Sequence, residues 1–345
     1  MRLNIGFTGI SGMLGKNFLD FYLKDRELRK KYRIIGLSRN ISEDLIKKYK
    51  DNSDDLVFRN INYFDQNSLK NALESIDILI HSAGVTKGNY YEIFQKGNVE
   101  VTENLIKVIE NEKLPIKNFI FISSQSVLGP SDLNNKVKDI FFDEESKSNP
   151  ISSYGKSKTE AEIRIKNSNI NWSIIRFPTI FGKYEMDSLI LFKFANKGIM
   201  LDTSWEYFTL SYILAEDGVE LIFNLIDKMA SDFEMVNKKV YHFCYDKPIR
   251  IRDFMNEIMG FSNKKVVLKI LAPRFLFKIT ALILTLISIL NKKAIIINKE
   301  KVNEFLHSRW LMANDKTKKL LSLSNIERKA NLQEIYEWYK EEGLI

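Results

Sequence analysis

The feature that most constrains this chain is a glycine-rich segment that follows its first apolar run. Residues 3–8 form a short strand-like run, and Gly9, Gly12 and Gly15 follow before an amphipathic stretch begins. Glycines at this spacing allow a tight turn, and they let backbone N–H groups approach a pyrophosphate at the positive end of a helix. The segment therefore predicts a strand, a phosphate-binding loop and a helix that together bind a dinucleotide.

The remainder of the first half repeats this alternation of strand and helix. Short apolar runs predict strands, and the amphipathic stretches between them predict helices. The expected strands are 3–8, 33–38, 56–60, 76–81, 118–123 and 172–177, and the expected helices are 14–28, 65–74, 98–112 and 153–166. This order predicts an α/β fold with a Rossmann-type doubly wound parallel sheet, whose ligand lies at the carboxyl ends of the strands.

The second half is less regular and predicts a smaller lobe. It contains an expected strand at 239–244 and an expected helix at 251–259. We expect residues 1–182 to form the dinucleotide-binding domain, completed by parts of about 205–245. Residues 183–345 are then expected to form mainly a smaller, discontinuous C-terminal substrate-binding lobe.

An uncharged segment at 279–291, whose apolar run extends back to Phe275, has three interpretations. Lys278 precedes it, and Lys292 and Lys293 follow it. It is shorter than the ~20 residues that a membrane-spanning helix needs. A buried or substrate-lining helix is the first interpretation, an interfacial helix on anionic lipid is the second, and a true span is the third. Peripheral membrane contact through about 275–293 therefore stays open.

Charge and the scarce cysteine and histidine exclude several kinds of site. The chain has 52 Lys and Arg against 44 Asp and Glu, but the two signs are interspersed, which disfavours a nucleic-acid-binding protein. The single cysteine, Cys244, excludes an internal disulfide, and His81, His242 and His307 lack ligand spacing, so no metal site is expected. The sequence begins a strand at once without a secretory signal, so we expect a cytoplasmic protein, with the inner face of the membrane as an alternative.

The end of the second expected strand bears on the choice of cofactor. Ser38-Arg39-Asn40 stands where an acidic residue would bind the ribose 2′-hydroxyl of NAD. Ser38 can donate a hydrogen bond, and the guanidinium of Arg39 can pair with a 2′-phosphate. We therefore expect NADP(H) rather than NAD(H), with an ordinary exposed arginine as the alternative interpretation of Arg39.

Tyr154 and Lys158 lie four residues apart, which places them one turn apart on one face of a helix. A free phenol has a pKa of ~10 and is a poor base at neutral pH. A neighbouring ammonium and an oxidised nicotinamide favour the phenolate, and the lysine can also hold the nicotinamide ribose. The run 123–126 ends the fifth expected strand, where a serine can donate to a substrate carbonyl.

Taken together, these motifs resemble those of the extended short-chain dehydrogenases/reductases, the NAD-dependent epimerase/dehydratase group. Residues 8–15 resemble the family's TGxxGxxG, 149–158 its NPxSPYGxSK and 176–182 its RPxxVYG. Residues 121–129 resemble the strand that carries a catalytic serine or threonine five residues before a glycine. The resemblance therefore implies that Ser124, Tyr154 and Lys158 are the catalytic residues.

The same resemblance implies the residues that bind the cofactor and the substrate. Asn62 replaces the family's aspartate beside adenine, and Asp65 occupies the position of a residue that caps the next helix. Val85 and Ser126 are expected to contact the substrate. The expected cofactor residues are Thr8, Gly9, Ser11, Gly12, Met13, Leu14, Gly15, Ser38, Arg39, Asn62, Tyr63, Ser82, Ala83, Gly84, Asn98, Ser123, Tyr154, Lys158, Phe177, Pro178 and Thr179.

The implied activity is hydride transfer at a carbonyl or hydroxyl carbon of a nucleotide-activated sugar in bacterial surface polysaccharide biosynthesis. A keto-sugar reductase is favoured, because net reduction commonly uses NADPH. A nucleotide-sugar 4-epimerase with tightly bound NAD and a 3β-hydroxysteroid dehydrogenase-like reductase of a hydrophobic ketone are alternatives. A 4,6-dehydratase is disfavoured, because Ser126-Val127 stands in place of an Asp-Glu pair. A binding or regulatory protein that has kept only the cofactor site is a further alternative.

Two further expectations concern partners and phosphate binding. The family implies a homodimer, formed through the helices at 98–112 and 153–166. The arginine that holds a nucleotide-sugar diphosphate is missing from 208–217, and Arg250, Arg252, Arg274 and Arg309 are alternative sources. The three histidines and Cys244 are expected to be packing or surface residues.

Overall fold

The computed structural model describes residues 2–50, 55–131, 140–202, 208–262, 264, 266–271, 303–304, 307 and 309–345. Its centre is a parallel sheet of seven strands: β1 (Leu3–Thr8), β2 (Tyr32–Ser38), β3 (Leu56–Asn60), β4 (Ile78–His81), β5 (Asn118–Ser124), β6 (Trp172–Phe177) and β11 (Lys239–His242). Their order is β3-β2-β1-β4-β5-β6-β11. β1 pairs in parallel with both β2 and β4, so the strand order reverses there, as in a doubly wound sheet. The expected Rossmann-type fold is confirmed.

Helices cover both faces of this sheet and form much of the C-terminal part. They are α1 (Met13–Lys24), α2 (Arg26–Lys31), α3 (Glu43–Lys50), α4 (Gln66–Leu73), α5 (Tyr91–Phe94), α6 (Val101–Asn111), α7 (Ser153–Lys166), α8 (Leu189–Asn196), α9 (Ala215–Ser231), α10 (Phe233–Val236), α11 (Ile251–Ser262), α12 (Asp315–Leu321) and α13 (Leu332–Glu341). A π-helical turn, Gln95–Glu100, joins α5 to α6, and a 3₁₀ turn, Gln125–Val127, follows β5.

Within the described residues, three small sheets lie beyond the central one. Their strands are β7 (Thr179–Phe181), β8 (Ile199–Asp202), β9 (Thr209–Leu210), β10 (Tyr212–Leu214), β12 (Ile249–Arg250), β13 (Leu268–Leu271) and β14 (Arg309–Trp310). β7 pairs with β10, β8 pairs with β13, and β9 lies between β12 and β14. These short sheets bring distant parts of the second half together beside the central sheet.

Both faces of the central sheet are buried, which explains why its strands are nearly continuous apolar runs. Phe7 of β1 belongs to the cluster on one face, where Phe18 of α1 stacks on Phe223 of α9 with ring centroids 4.8 Å apart. Leu37 and Phe121 belong to the cluster on the other face, against α4, α6 and α7. Alternate side chains of each strand thus pack against the helices on opposite faces of the sheet.

Several helix and strand boundaries differ from those expected. A single helix over 14–28 is wrong, because Asp25 is extended and its carboxylate accepts hydrogen bonds from the backbone N–H groups of Glu27 and Leu28, which starts α2. The helix expected at 98–112 begins earlier than predicted, because α5 and the π-helical turn lead without a break into α6. The strands expected at 76–81 and 239–244 are shorter, and α11 runs beyond 259.

Residues beyond 182 contribute to the central sheet and share its core. β11 is the sheet's edge strand, and α9 lies against α1. One hydrophobic cluster extends from Phe7 through Phe192 of α8 and Phe254 of α11 to Tyr339 of α13. The division into a dinucleotide-binding domain and a substrate-binding lobe stays a prediction.

The apolar segment predicted at 275–293 lies outside the described residues, so its three interpretations stay predictions. Within the part of the chain that the structure describes, no helix combines the length and the apolar character needed to cross a membrane.

Gly15→Ala is expected to destabilise the protein. An added Cβ atom would lie 2.4 Å from the carbonyl oxygen of Ile10 and 2.5 Å from its Cα atom. Because backbone atoms cannot move aside easily, we expect the free energy of unfolding to fall by about 1–3 kcal/mol. Gly260→Ala, in α11 with open space around it, is the control and should raise that free energy by about 0.5–1 kcal/mol. Urea denaturation of both variants tests this, and unchanged stability of Gly15→Ala would contradict the close contact.

Candidate active site

The glycine loop joins β1 to α1 and contacts the ends of two neighbouring strands. Gly9 has a φ of +75°, and a Cβ atom there would lie 2.9 Å from the backbone nitrogen of Ala83. Its N–H donates to the carbonyl oxygen of Leu37 at 2.8 Å. Gly12 is the N-cap of α1, and as a glycine it has no side chain with which to cap the helix. The loop thus leaves the positive end of α1 open to a phosphate, so its residues fit a dinucleotide.

A buried chain of hydrogen bonds starts at Thr8, behind the loop. The backbone N–H groups of Ser82 and Ala83 donate to Thr8 Oγ1, at 3.2 and 3.1 Å. Thr8 Oγ1 and His81 Nδ1 are 2.8 Å apart, and His81 Nε2 and Thr102 Oγ1 are 3.1 Å apart. Thr102 donates its own proton to the carbonyl oxygen of Asn98, at 2.6 Å.

These contacts fix the proton on His81. Thr102 Oγ1 donates to a carbonyl, so it accepts from His81 Nε2–H, and Nδ1 then accepts from Thr8. His81 is completely buried, and burial lowers its pKa to about 3, with a smaller contribution from Lys158. It is therefore neutral at physiological pH and acts as a structural bridge, which fits the strand-end role that the sequence predicts.

The carboxyl ends of β2 and β3 form the predicted adenosine end of the site. Ser38 is buried, and its hydroxyl lies 2.9 Å from that of Ser11 in the glycine loop. Arg39 is exposed and close enough to Tyr63 to lower its pKa, although burial raises that pKa overall to about 12. Asn62 is exposed, and its side chain accepts a hydrogen bond from Phe64 N–H at 3.1 Å. The charged side chain that follows β2 directly is that of Arg39, and its role towards a 2′-phosphate stays a prediction.

Asn98 joins the loop after β4 to α7. Its Oδ1 accepts from Val85 N–H at 2.7 Å, and its Nδ2 donates to the Val85 carbonyl at 3.0 Å and to Ser157 Oγ at 2.9 Å. A Cβ atom on Gly84 would lie 2.7 Å from Asn98 Oδ1 and 3.7 Å from Lys158 Nζ. The π-helical turn carries this asparagine, and such turns often occur at functional sites. Asn98 thus joins the loop after β4 to α7, the helix that carries the predicted residues Tyr154 and Lys158.

Helix α7 approaches the end of β5 closely because Gly155 has no side chain. A Cβ atom there would lie 2.4 Å from the carbonyl oxygen of Ser126. The side chain of Ser152 caps this end of the helix, accepting from Gly155 N–H at 3.2 Å. This approach brings Tyr154 close enough to Ser124 for the Ser124 hydroxyl to lower the pKa of the phenol, and the same hydroxyl donates to that of Ser126 at 3.3 Å.

Lys158 lies one turn further along α7 and is buried. Its Nζ donates to the carbonyl oxygen of Ile122 at 2.8 Å and lies 4.5 Å from the ring centroid of Phe121. Burial lowers the pKa of Lys158 to about 8, and the carboxylate of Glu162 opposes this change. The three predicted catalytic residues thus gather at the carboxyl end of β5.

The pKa of Tyr154 runs against the expectation from the sequence. Burial raises it to about 12, and the hydrogen bond with Ser124 only partly offsets this, while Glu304 adds to the increase. Among the described residues, desolvation therefore outweighs the stabilisation of the phenolate. In this environment Tyr154 is a proton donor throughout the neutral pH range.

The remaining predicted site residues have more varied environments. Leu14, Phe177 and Pro178 are buried, whereas Thr179 is exposed. Met13, Ser82, Ala83, Val85 and Ser126 are partly buried along the strand ends. Ser123 is buried, and its hydroxyl donates to Glu162 at 2.7 Å. Their binding roles stay predictions.

Two contacts of the described residues were not predicted from sequence. Glu162 lies four residues after Lys158 and binds Arg176 through both carboxylate oxygens, and only the helical spacing hints at its position. Arg250 and Arg309 both lie opposite Thr209, one on each side of it in the small sheet. That sheet forms through the pairing of distant segments, which no local pattern shows. Of the other predicted arginines, Arg252 is exposed on α11, and Arg274 lies outside the described residues.

A separate cavity of about 300 Å³ lies behind α1, away from this site. Asp20, Lys48, Tyr49, Glu216 and Glu334 are among its lining residues, and none of the predicted site residues lines it. Its polar groups are mutually paired, since Asp20 accepts from Tyr49 and Glu216 binds Lys24 at 3.0 Å. In the described part of the chain, no three His, Cys, Asp or Glu side chains are grouped to hold a metal ion.

Comparison with known proteins identifies the family. The model for the NAD dependent epimerase/dehydratase family matches residues 5–231, about two thirds of the chain, which include all the predicted catalytic and cofactor residues. The chain belongs to the NAD-dependent epimerase/dehydratase family. It is accordingly an enzyme of this family, which typically uses an NAD(P) cofactor.

Curated relatives match only parts of the chain. An Escherichia coli O157:H7 N-acetyl-alpha-D-glucosaminyl-diphospho-ditrans,octacis-undecaprenol 4-epimerase is 28% identical over 218 residues, covering 59% of this chain and 60% of the relative. The bovine methionine adenosyltransferase 2 subunit beta is 26% identical over 135 residues, 37% of each protein. The alignments thus span well under two thirds of these two relatives.

Solved structures of the family share the fold along almost the whole chain. UDP-glucuronic acid 4-epimerase from Bacillus cereus, in complex with NAD, superposes with a TM-score of 0.72 and 17% identity, covering 98% of this chain and 99% of that one. The dTDP-glucose 4,6-dehydratase from Bacillus anthracis, also with NAD, superposes with a TM-score of 0.72 and 17% identity, covering 99% and 97%. At this identity the similarity shows the fold alone.

The neutral state of His81 predicts a pH dependence of stability. Because its pKa falls from an ordinary 6.5 to about 3 in the folded protein, the unfolded chain binds a proton first as the pH falls below 6.5. The contribution of neutral His81 to the free energy of unfolding is complete above pH 6.5. It falls by about 1.4 kcal/mol per pH unit as the pH is lowered from 6.5 towards 3. We expect His81→Gln to reduce the slope of unfolding free energy against pH in this window by about that amount. Urea denaturation between pH 4 and 7 measures it, and an equal slope in both proteins would contradict the assignment.

Proposed function

We propose that this protein transfers a hydride between NADP(H) and a ring carbon of a diphosphate-linked sugar, and that it works as a keto-sugar reductase. The observation that supports this most directly is that Tyr154 and the buried Lys158 share a face of α7 beside Ser124 at the end of β5, where Lys158 Nζ donates to the carbonyl oxygen of Ile122. A phenol, a hydroxyl and an ammonium in this order suit the protonation of a carbonyl oxygen.

Each of these residues has a defined task in the proposed reduction. The bound dinucleotide supplies the hydride. Tyr154 donates its proton to the substrate oxygen, and Ser124 donates a hydrogen bond to the same oxygen. Lys158 holds the nicotinamide ribose and stabilises the phenolate that remains. Burial raises the pKa of Tyr154 to about 12, so the phenol is protonated at neutral pH, as a proton donor requires.

The preference for NADP(H) rests on the ends of β2 and β3. Ser38 and Arg39 lie there, and the nearest carboxylate along the chain is that of Glu43, in α3. A guanidinium favours a 2′-phosphate, whereas NAD-binding sheets of this kind commonly place an acidic residue at this position. The backbone of the glycine loop would hold the pyrophosphate at the start of α1.

Arg250 and Arg309 support a substrate that carries a diphosphate. Both flank Thr209 in the small sheet, and the carbonyl oxygen of Arg309 accepts from Ser131 N–H at 2.9 Å. Ser131 follows Ser124 by seven residues, so this bond joins the small sheet to the segment that follows β5. Two guanidinium groups suit a diphosphate, whether its carrier is a nucleoside or a polyprenol. The name of the E. coli relative describes a polyprenol diphosphate, and these arginines disfavour a neutral hydrophobic ketone.

A 4-epimerase with tightly bound NAD is the second candidate. The names of the E. coli relative and of the Bacillus cereus structure favour it, since both describe 4-epimerases. The same three residues serve this reaction, because epimerisation oxidises the carbon and then reduces it from the other face. Retained NAD in the purified protein and no net consumption of NADPH would identify an epimerase.

The homodimer through 98–112 and 153–166, the peripheral membrane contact through about 275–293 and the cytoplasmic location stay predictions. The exposed apolar side chain of Ile163 on α7 is consistent with a partner on that helix, since 50% of it is accessible.

Tyr154→Phe is expected to abolish turnover and leave cofactor affinity nearly unchanged, because it removes only the transferable proton. The assay follows NADPH absorbance with a UDP-linked 4-keto sugar, and chromatography follows epimerisation of a UDP-linked N-acetylhexosamine. Tyr336→Phe, which alters a hydroxyl that binds Asn196 far along the chain, is the control. Undiminished turnover in Tyr154→Phe contradicts the catalytic assignment. Cofactor binding without turnover of either class in the wild type would favour a regulatory role.

Arg39→Ala is expected to weaken NADPH binding by about tenfold and to leave NADH binding unchanged, because only NADPH carries the 2′-phosphate. Calorimetric titration with both cofactors, after any co-purified nucleotide has been removed and identified, measures the two affinities. Arg33→Ala, at the exposed other end of β2, is the matched control. An equal loss for both cofactors would show that Arg39 does not bind the phosphate.

A further inference from the structure

A buried ionic cluster lies directly behind the catalytic lysine. Arg176 donates to both oxygens of Glu162, from Nε at 2.9 Å and from Nη2 at 2.7 Å. The side chains of both residues are almost fully buried, with 3% and 2% exposed. Ser123 donates to Glu162 at 2.7 Å, and Lys166 donates to it at 3.1 Å from the half-exposed side of α7.

The cluster connects three elements at the point where catalysis is expected. Glu162 belongs to α7, Ser123 to β5 and Arg176 to β6. Ile122, which precedes Ser123, accepts the hydrogen bond from Lys158 Nζ. The same stretch of β5 therefore binds α7 twice, once through Lys158 and once through Glu162. A shift of the helix along the strand would break both contacts.

The charges in the cluster are arranged so that Glu162 stays ionised. Burial alone would raise the pKa of a carboxyl group, but Arg176, Lys166 and Ser123 together hold the pKa of Glu162 below its ordinary value. A carboxylate buried this deeply needs such partners, because desolvation of an unpaired charge is very costly. Glu162 is thus a fixed negative charge one helical turn from Lys158.

We propose that Glu162 is a positioning residue for catalysis, which keeps Lys158 in its ammonium form and fixes the end of β5 against α7. This proposal rests on the proposed role of Lys158. A neutral Lys158 would not stabilise a phenolate at Tyr154 and would bind the nicotinamide ribose less strongly. The charge on Glu162 therefore affects the pH range in which the site works.

The other groups that face Lys158 do not supply this charge. His81 of β4 is neutral, and any proton on it would repel Lys158. Phe121 contributes its ring face, and the Ile122 carbonyl and Gly84 contribute no charge. Glu304 acts on Tyr154 instead. Among the described residues, the carboxylate that opposes the desolvation of Lys158 is that of Glu162.

The ionisation of Lys158 can be measured directly, without a substrate. In protein labelled with [¹³Cε]lysine, the chemical shift of each ¹³Cε reports whether that amine is charged. Lys158 should titrate near its pKa of about 8, well below an ordinary lysine, and its signal should be missing in Lys158→Met. We expect Glu162→Gln to lower the midpoint by about 1 pH unit or more, because an attractive charge is lost.

Glu160→Gln is the matched control, because it makes the same change on the exposed side of α7, where Glu160 accepts from Tyr91. It should leave the midpoint unchanged. An unshifted midpoint in folded Glu162→Gln would overturn the proposal, and so would equal shifts in both variants. A purely structural role of Glu162 would lower stability without moving the midpoint.

Glu162→Gln leaves Arg176 buried without its anion, and this variant can fail to fold for that reason. Glu162→Gln with Arg176→Gln removes both charges and keeps an amide pair in the same place. We expect this double variant to fold and its Lys158 midpoint to lie between those of Glu162→Gln and the wild type, because loss of the Arg176 cation partly offsets loss of the Glu162 anion. A midpoint in the double variant below that of Glu162→Gln would overturn the proposal, because removing a cation cannot lower the pKa of a nearby ammonium group further.

The titration separates this proposal from the proposed function. A shifted midpoint in a protein that turns over none of the tested sugars would support the role of Glu162 and contradict the proposed reaction. Where turnover is measurable, the alkaline limb of its pH profile should move to lower pH in parallel with the midpoint. An alkaline limb that stays in place while the midpoint moves would contradict the link to catalysis.

Discussion

The candidate site depends on the parallel pairing of β1 with β2 on one side and with β4 on the other. This pairing brings the carboxyl ends of the strands to one edge, and the connecting helices must then cover both faces. The glycine loop leaves β1 at this edge and contacts Leu37 of β2 and Ala83 beyond β4. The phosphate end, the ribose end and the catalytic end of the site are therefore consequences of one strand order.

Buried polar groups then fix the loops at this edge, because each must find a partner once water is excluded. Thr8, His81 and Thr102 form one chain of hydrogen bonds, which ends at the backbone of Asn98. Ser123, Glu162 and Arg176 form another, and it joins β5, α7 and β6. Both groups consist of buried side chains held by hydrogen bonds, which suits a site whose reacting atoms must be held closely.

Much of this arrangement could be predicted from local patterns. The glycine spacing predicted the loop, Asp65 caps α4 as expected by accepting from Ser68 N–H at 2.7 Å, and Tyr154 and Lys158 share a face of α7. Other features depend on neighbours that are distant in sequence. The helix expected at 14–28 is broken at Asp25, because the Asp25 side chain caps a new helix there. The pKa of Tyr154 is raised by burial, and the sequence alone does not show which side chains are buried. The pairing of Arg250 and Arg309 with Thr209 likewise required the small sheet.

By itself, the sequence determined the fold class, the phosphate loop and the identity of the catalytic candidates, because these depend on spacing along the chain and on residue chemistry. Only the tertiary structure decided which groups are buried and which charges face one another. Ser123 was expected beside the cofactor, yet its hydroxyl binds Glu162, and Glu162 gained a role only when β5 and β6 came to lie beside α7. Electrostatic energies depend on distance and on exclusion of water, and both are properties of the folded chain.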